Sequence, residues 1–221
     1  MPKRRFPITA PILQKLCVTL RSGVFGPYRD LLMEAALCLG WFGCLRCGEF
    51  TAQSSLYDPA IHLRMQDIVG HYDIATKKQL VSVNIKVSKT DPFRKGITVK
   101  LFETGHTLCP YTVLTKFVQI RRAMRASDVD PLFYLPECRI LTRQVFVQNL
   151  RTLLTLIGQG DINHFSGHSL RRGMATSASA ARVPDHVIAA MGRWSSDCYK
   201  TYIDTSNHAI ASAQQSLAHM C

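Results

Sequence analysis

The chain has 221 residues, 47% of them hydrophobic, enough for one domain with a sizeable core and unlike a low-complexity polypeptide. Its 27 Lys+Arg against 15 Asp+Glu leave +12 at pH 7, a balance that favours a polyanionic partner; nucleic acid comes first, and a ribosomal or membrane-surface protein also fits. The longest apolar stretch, residues 31–45, contains Glu34 and is too short for a bilayer, and no signal-peptide core follows Lys3-Arg4-Arg5.

The eight cysteines are scattered, and several sit in apolar runs, where cysteine behaves as a small hydrophobe. A chain of this size has no need of disulfide staples. Reduced thiols in a cytosolic or nuclear protein are expected, with Lys3-Arg4-Arg5 a minimal import signal.

A first helix is expected where Thr9 can cap, Pro11 suits the first turn and Ile12, Leu13, Leu16, Val18 and Leu20 supply an apolar face. Ser22-Gly23 ends it. A second helix, from about Tyr28 to Phe42, is apolar on nearly every side and should be buried. Residues 80–87 and 97–101 alternate apolar with polar side chains, as half-buried strands do. The turn-rich, basic segment 88–96 joins them as a hairpin. A further strand near residues 61–68 is compatible with the pattern. The helical period returns from Pro110 to about Met124 and from Thr142 to about Ile157. The last 55 residues read as three or four short helices broken at Pro184, Gly192 and Asp204. The expectation is a single, mainly helical domain over residues 1–221 with one small antiparallel sheet.

Chemistry concentrates in Ser166-Gly167-His168-Ser169-Leu170-Arg171-Arg172-Gly173. His168 and Arg171, three apart, share one helix face, and a helix starting after Gly167 aims free N–H groups at an anion. Upstream, Gly43-Cys44-Leu45-Arg46-Cys47-Gly48-Glu49 places Arg46 after an apolar helix. There it is either a structural partner of Glu49 or a rigid fork for a phosphate, oriented by Glu49. Further on stands Gly192-Arg193-Trp194-Ser195-Ser196, with Tyr202 beyond it.

These phrases, with Leu39-Gly40-Trp41-Phe42 ahead of Gly43 and with Ser88-Lys89-Thr90-Asp91, resemble the tyrosine recombinase (phage-integrase-like) family. They are most similar to the recombinases of DIRS/Ngaro-class eukaryotic retrotransposons, over about residues 8–206. The resemblance implies a mainly α fold with a small antiparallel sheet and DNA strand cleavage and rejoining through a 3′-phosphotyrosyl intermediate. It makes Arg46, His168 and Arg171 catalytic, Tyr202 the nucleophile and Lys89 the general acid on its hairpin. The third-motif position falls to Trp194, eight residues before Tyr202, with Arg193, nine before, as the alternative. Lys86, Arg94, Lys95 and Arg172 are the expected phosphate contacts. Double-stranded DNA is the implied substrate, with self-association on it and no membrane. No metal or other cofactor is expected, because the arginines take the metal's part. The family's helical core-binding domain is not expected within this chain.

The chemistry is coherent. A free tyrosine, with pKa near 10, is ionised to only about one part in a thousand at pH 7. It needs a base, for which His168 is the candidate, and neighbouring positive charge. Tyr199 is a rival nucleophile on the same helix face. Lys86, Lys95 and Lys100 are rival acids. Cys44-x-x-Cys47 with His164-x-x-x-His168 is a remote zinc set, for which packing is the preferred reading. Arg121, Arg122 and Arg125 read as a solvated face or a DNA contact. Two other classes remain open: a recombinase-derived DNA-binding protein without turnover, and a type IB topoisomerase-like enzyme.

Overall fold

The computed structural model describes residues 5–88, 91, 93, 95–194, 196, 200, 211, 214, 215 and 218. Helix α1 (Ala10–Arg21) carries Pro11 in its first turn and buries Leu13, Leu16, Cys17 and Leu20. Thr9 makes no side-chain cap. The Ser177 hydroxyl, from a distant helix, instead accepts the Ala10 N–H at 2.9 Å.

Helix α2 (Pro27–Phe42) has eleven of its sixteen residues buried, as an all-round apolar helix must. It packs against α1 and against α4 (Pro110–Ala123) and α6 (His168–Ala180). The buried Glu34 inside it is compensated. Its Oε1 accepts Arg21 Nε at 2.8 Å and Nη2 at 2.5 Å, and that Nη2 also donates to Thr107 O at 2.7 Å. A short helix, α3 (Cys47–Phe50), follows.

Strands β1 (Ile68–Asp73), β2 (Lys78–Ile85) and β3 (Ile97–Phe102) form an antiparallel meander, with Val83 opposite both Ile68 and Val99. In the central strand Leu80, Val81, Val83 and Ile85 are buried, and α4 packs on β2 and β3. The expected strand over 61–68 is corrected. Its first part is turn and a 3-10 helix (Met65–Asp67), because the Asp67 carboxylate folds back to accept Arg64 N at 2.8 Å. A second sheet, β4 (Tyr134–Leu135) with β5 (Arg139–Ile140), was not anticipated; two residues per strand are too few to show alternation.

Helix α5 (Arg143–Leu156) is capped by Thr142, whose hydroxyl accepts Val145 N at 3.3 Å. After α6 comes α7 (Asp185–Gly192). The break expected at Asp204 lies outside the described residues. One core spans α1, α2, α4, α5 and the meander, while a smaller cluster of Ala175 and Ile188 joins α6 to α7 and takes in Trp194.

Arg121 departs from the solvated face expected of it. It is buried, its Nη2 donates to Pro131 O at 2.9 Å, and its guanidinium lies 5.5 Å from the Tyr134 ring centre. Arg122, by contrast, is exposed and paired with Asp128.

The N-terminal segment crosses the start of α6. Ile8 N donates to Ser169 O at 2.9 Å, and Ile8 O accepts Trp41 Nε1 at 2.8 Å. Only a residue without a side chain lets it pass, since a Cβ on Gly173 would sit 1.7 Å from Ile8 O. Gly173→Ala is expected to lower unfolding free energy by about 3 kcal/mol through overpacking. Gly70→Ala, in open space on β1, should stay within about 0.5 kcal/mol. Urea denaturation midpoints of the two variants provide the check.

Candidate active site

Three segments far apart in sequence meet at the C-terminal end of α2. The first is the 43–49 turn. Gly43 closes α2 and Cys44 takes a left-handed backbone (φ 46°), which turns the chain so that Arg46 can start α3. Glu49 folds back onto Arg46: its Oε2 accepts Arg46 N at 2.8 Å, and its Oε1 accepts Arg46 Nη1 at 3.2 Å. Ser88 closes the triangle, accepting from Arg46 Nη1 at 3.0 Å and donating to Glu49 Oε1 at 2.8 Å. This places the chain just beyond β2 beside Arg46.

The second segment is the start of α6. His168 is its first residue, with a backbone N–H that donates to Ser166 Oγ at 3.3 Å. Arg171, one turn on, is 1% exposed. Its Nη1 donates to Cys44 O at 2.7 Å and its Nη2 to Gly192 O at 2.5 Å.

The third segment is the end of α7. Gly192 is required there by close approach, because a Cβ would fall 1.9 Å from the Trp194 ring. That ring lies 4.5 Å from the Arg171 guanidinium, within cation–π distance. Arg193, left-handed at φ 54°, sends its guanidinium back to Glu49 Oε2 at 2.9 Å, with Cys44 O and Gly43 O at 3.4 and 3.5 Å. Left-handed backbone outside glycine is a strain commonly stored at functional sites.

Of the sequence-predicted residues, Arg46, Glu49, Arg171, Arg193 and Trp194 are thus joined by contacts. His168 belongs to the same electrostatic unit. Its pKa is held below the ordinary histidine value by burial first and then by the positive charges of Arg143, Arg171, Arg46 and Arg5. Trp194 and Arg193 both enter the site in different capacities, one over Arg171 and the other on Glu49. Lys89, Arg94 and Tyr202, like the rival Tyr199, lie outside the described residues. Lys95 is exposed near the ring of Phe93, and Arg172 is half-buried on α6. Lys86 was expected to touch phosphate, but its ammonium is engaged within the fold. It pairs with Asp67 at 2.7 Å and donates to Pro59 O and His62 O, each at 2.7 Å. Cys44 and Cys47 are buried, and burial pushes the Cys44 thiol up to about 12.

Sequence reasoning missed Arg5, Arg143 and Arg151. They line an open groove of about 870 Å³ with Gln53, Gln144 and Gln148, next to His168. The signal was available: positions 143, 147, 151 and 155 share one face of α5, on which Arg143, Arg151 and Thr155 are polar, and all four line the groove.

No protein-family profile matches the chain, and no curated protein matches it in sequence. Its fold does have counterparts among solved structures. The XerH site-specific recombinase in a post-cleavage complex with palindromic difH substrate aligns with TM-score 0.67 at 14% identity, over 97% of this chain and 53% of that one. XerA recombinase gives 0.66 at 16%, over 98% and 65%. A lambda integrase dimer bound to a COC′ core site gives 0.61 at 15%, over 92% and 49%. The chain spans about half to two thirds of the length of these structures. Mainly helical, with a small antiparallel sheet, it has the catalytic-domain fold of tyrosine recombinases. Its neighbours in fold are site-specific recombinases and integrases.

A lowered folded-state pKa means that His168 resists protonation. Its contribution to stability is present above the unfolded histidine value, near 6.5, and is lost as pH falls through the folded value. His168 should therefore titrate below 6.5 by NMR, and Arg143→Ala should move that midpoint upward.

Proposed function

We propose that the chain cuts and rejoins double-stranded DNA through a covalent phosphotyrosyl intermediate, as the catalytic domain of a tyrosine recombinase. The observation that carries this reading is the convergence of Arg46, Arg171 and Arg193 from three distant segments beside His168, without a competing substrate-like acid other than Glu49 among their described contacts. A cluster of fixed guanidinium groups suits a phosphate that gains charge in the transition state, and no metal is needed for that role.

In this reading Arg46 and Arg171 hold the scissile phosphate and His168, kept neutral, accepts the phenolic proton of Tyr202. The Tyr202 oxygen attacks phosphorus, the bond to the 5′ oxygen breaks, and Lys89 protonates the departing hydroxyl. Rejoining reverses the exchange, so the phosphodiester energy is retained. Arg193 or Trp194 adds a donor at the third-motif position. Arg172, Arg94 and Lys95 reach flanking phosphates, and the groove of Arg5, Arg143 and Arg151 continues that track. The motif phrases support the retrotransposon recombinase type, hence a nuclear location and assembly of several copies on DNA. They also support one catalytic domain over 1–221.

A DNA-binding role without turnover is the second reading. It is favoured by the guanidinium of Arg171, which is covered by Trp194 and bonded to two carbonyls.

The decisive experiment uses a nicked suicide duplex. A covalent protein–DNA adduct is expected, abolished in Tyr202→Phe and slowed about a hundredfold in Arg46→Ala. An adduct that survives Tyr202→Phe but vanishes in Tyr199→Phe moves the nucleophile. Absence of any adduct, with salt-sensitive binding intact, selects the second reading. Separately, Arg143→Ala should weaken duplex binding and lower the slope of log K against log salt by about 1, as loss of one phosphate contact does.

A further inference from the structure

At the other end of α2 lies a second concavity that the proposed chemistry does not use. Tyr28 sits in the first turn of that helix, whereas Arg46 follows its end, about 24 Å away along a sixteen-residue axis. The cleft, of about 530 Å³, lies between the end of α4, the 124–131 loop and the β4–β5 hairpin. That volume falls within the range of about 300–1,000 Å³ typical of small-ligand sites.

Its defining group is Arg121. The residue is 5% exposed, its Nε has no hydrogen-bond partner, and it forms no ion pair with a carboxylate among the described residues. Its compensation is one carbonyl, Pro131 O at 2.9 Å, the face of Tyr134 and the neighbouring Tyr28 hydroxyl, none of them charged. A buried cation with only neutral partners and an unpaired Nε is costly, and an anion entering the cleft would relieve it. A second cation, Arg125, lines the same cleft from an exposed position, on a left-handed backbone at φ 65°. Two guanidinium groups match a phosphate better than a single carboxylate.

The remaining walls call for a flat ring. Met124, Pro131, Leu135 and Pro136 are apolar, and the tyrosines offer ring surface for stacking. The Tyr28 and Tyr57 hydroxyls donate to Tyr134 O at 2.6 Å and Val129 O at 2.5 Å. Arg121 lies against the Tyr28 oxygen, and the Tyr57 oxygen is left as an acceptor for an amino group on such a ring. We propose that this cleft binds a nucleoside monophosphate with an amino-bearing base, its phosphate on Arg121 and Arg125 and its base among the tyrosines. The site is independent of the DNA reaction proposed above, and its test does not depend on that reaction.

The full chain would be titrated with AMP by calorimetry, with inorganic phosphate and adenosine as separate probes. One saturable site for AMP is expected, with phosphate and adenosine each weaker by about tenfold or more. Met124 is 57% exposed, so Met124→Glu puts a carboxylate at the mouth without disturbing the core, and it should weaken AMP by about tenfold. Arg125→Gly, which removes a charge and relaxes the left-handed backbone, should do the same. Arg46→Ala should leave AMP affinity unchanged. The proposal is overturned by no saturable AMP heat at millimolar concentration, or by phosphate or adenosine alone binding as tightly as AMP. Loss of AMP binding in Arg46→Ala with Met124→Glu unaffected would also overturn it, by placing the nucleotide in the other cationic pocket.

Discussion

The Glu49 carboxylate lies between the guanidinium groups of Arg46 and Arg193 with its side chain only 3% exposed, and the rest of the site takes its shape from that contact. One oxygen receives Arg46 and Ser88, the other Arg193 and the backbone N–H of Arg46. A carboxylate this buried is tolerable only if it is fully bonded, because an uncompensated buried charge costs several kcal/mol. The same demand works on the arginines in reverse. Without Glu49, like charges brought in by α3 and by the turn after α7 would repel one another. Glu49 thus ties the hairpin, α3 and the α7 turn into one unit, through residues as far apart in sequence as 49 and 193.

That unit also decides what is free to meet an anion. Arg46 keeps 22% of its side chain exposed, whereas Arg171 keeps almost none. Both terminal nitrogens of Arg171 bond carbonyls, one at Cys44 and one at Gly192, and Trp194 covers the group. These bonds fix the guanidinium plane rigidly, which is what preorganised electrostatic stabilisation requires. They also mean that any phosphate reaching Arg171 must do so through N–H directions that the carbonyls leave over, or after the Gly192–Trp194 corner shifts. The second course is physically plain. The corner rests on a small cluster, Ala175 and Ile188 with Trp194, separate from the main core, so moving it disturbs little of the apolar packing elsewhere.

Much of this could be read from residue order alone. All-round apolarity announced a buried α2, alternation announced β2 and β3, and His168 with Arg171 announced the start of α6. What escaped did so for physical reasons. Lys86 and Arg121 look like surface cations in a basic chain, but each answers a demand set by distant residues. Asp67 needed a counter-ion, and the loop carbonyl at Pro131 needed a donor. The Arg193–Trp194 ambiguity could not be settled by counting to Tyr202, because both side chains turn inward: the left-handed bend at Arg193 carries one to Glu49 and lets the other fold over Gly192. Arg143 was overlooked because it stands within no motif; only the folded chain brings the start of α5 to His168.

The surroundings of His168 bear on how such a site divides its work. If His168 is the base, as proposed, it is a weakened one, since the charges of Arg143, Arg171, Arg46 and Arg5 each disfavour its imidazolium. The same shift, however, favours the neutral imidazole, the form that can accept a proton. The same positive field would act oppositely on a nearby phenol, favouring its anion and narrowing the gap the proton must cross. Base strength lost at the imidazole is offset at the phenol, and the net requirement on histidine shrinks to accepting a proton that the field has already loosened. In the proposed reaction the arginines would then carry more of the barrier reduction than the histidine. The fold is consistent with that order: Arg171 is buried and bonded to two carbonyls and Arg193 is tied to Glu49, while His168 is only part-buried at the start of α6.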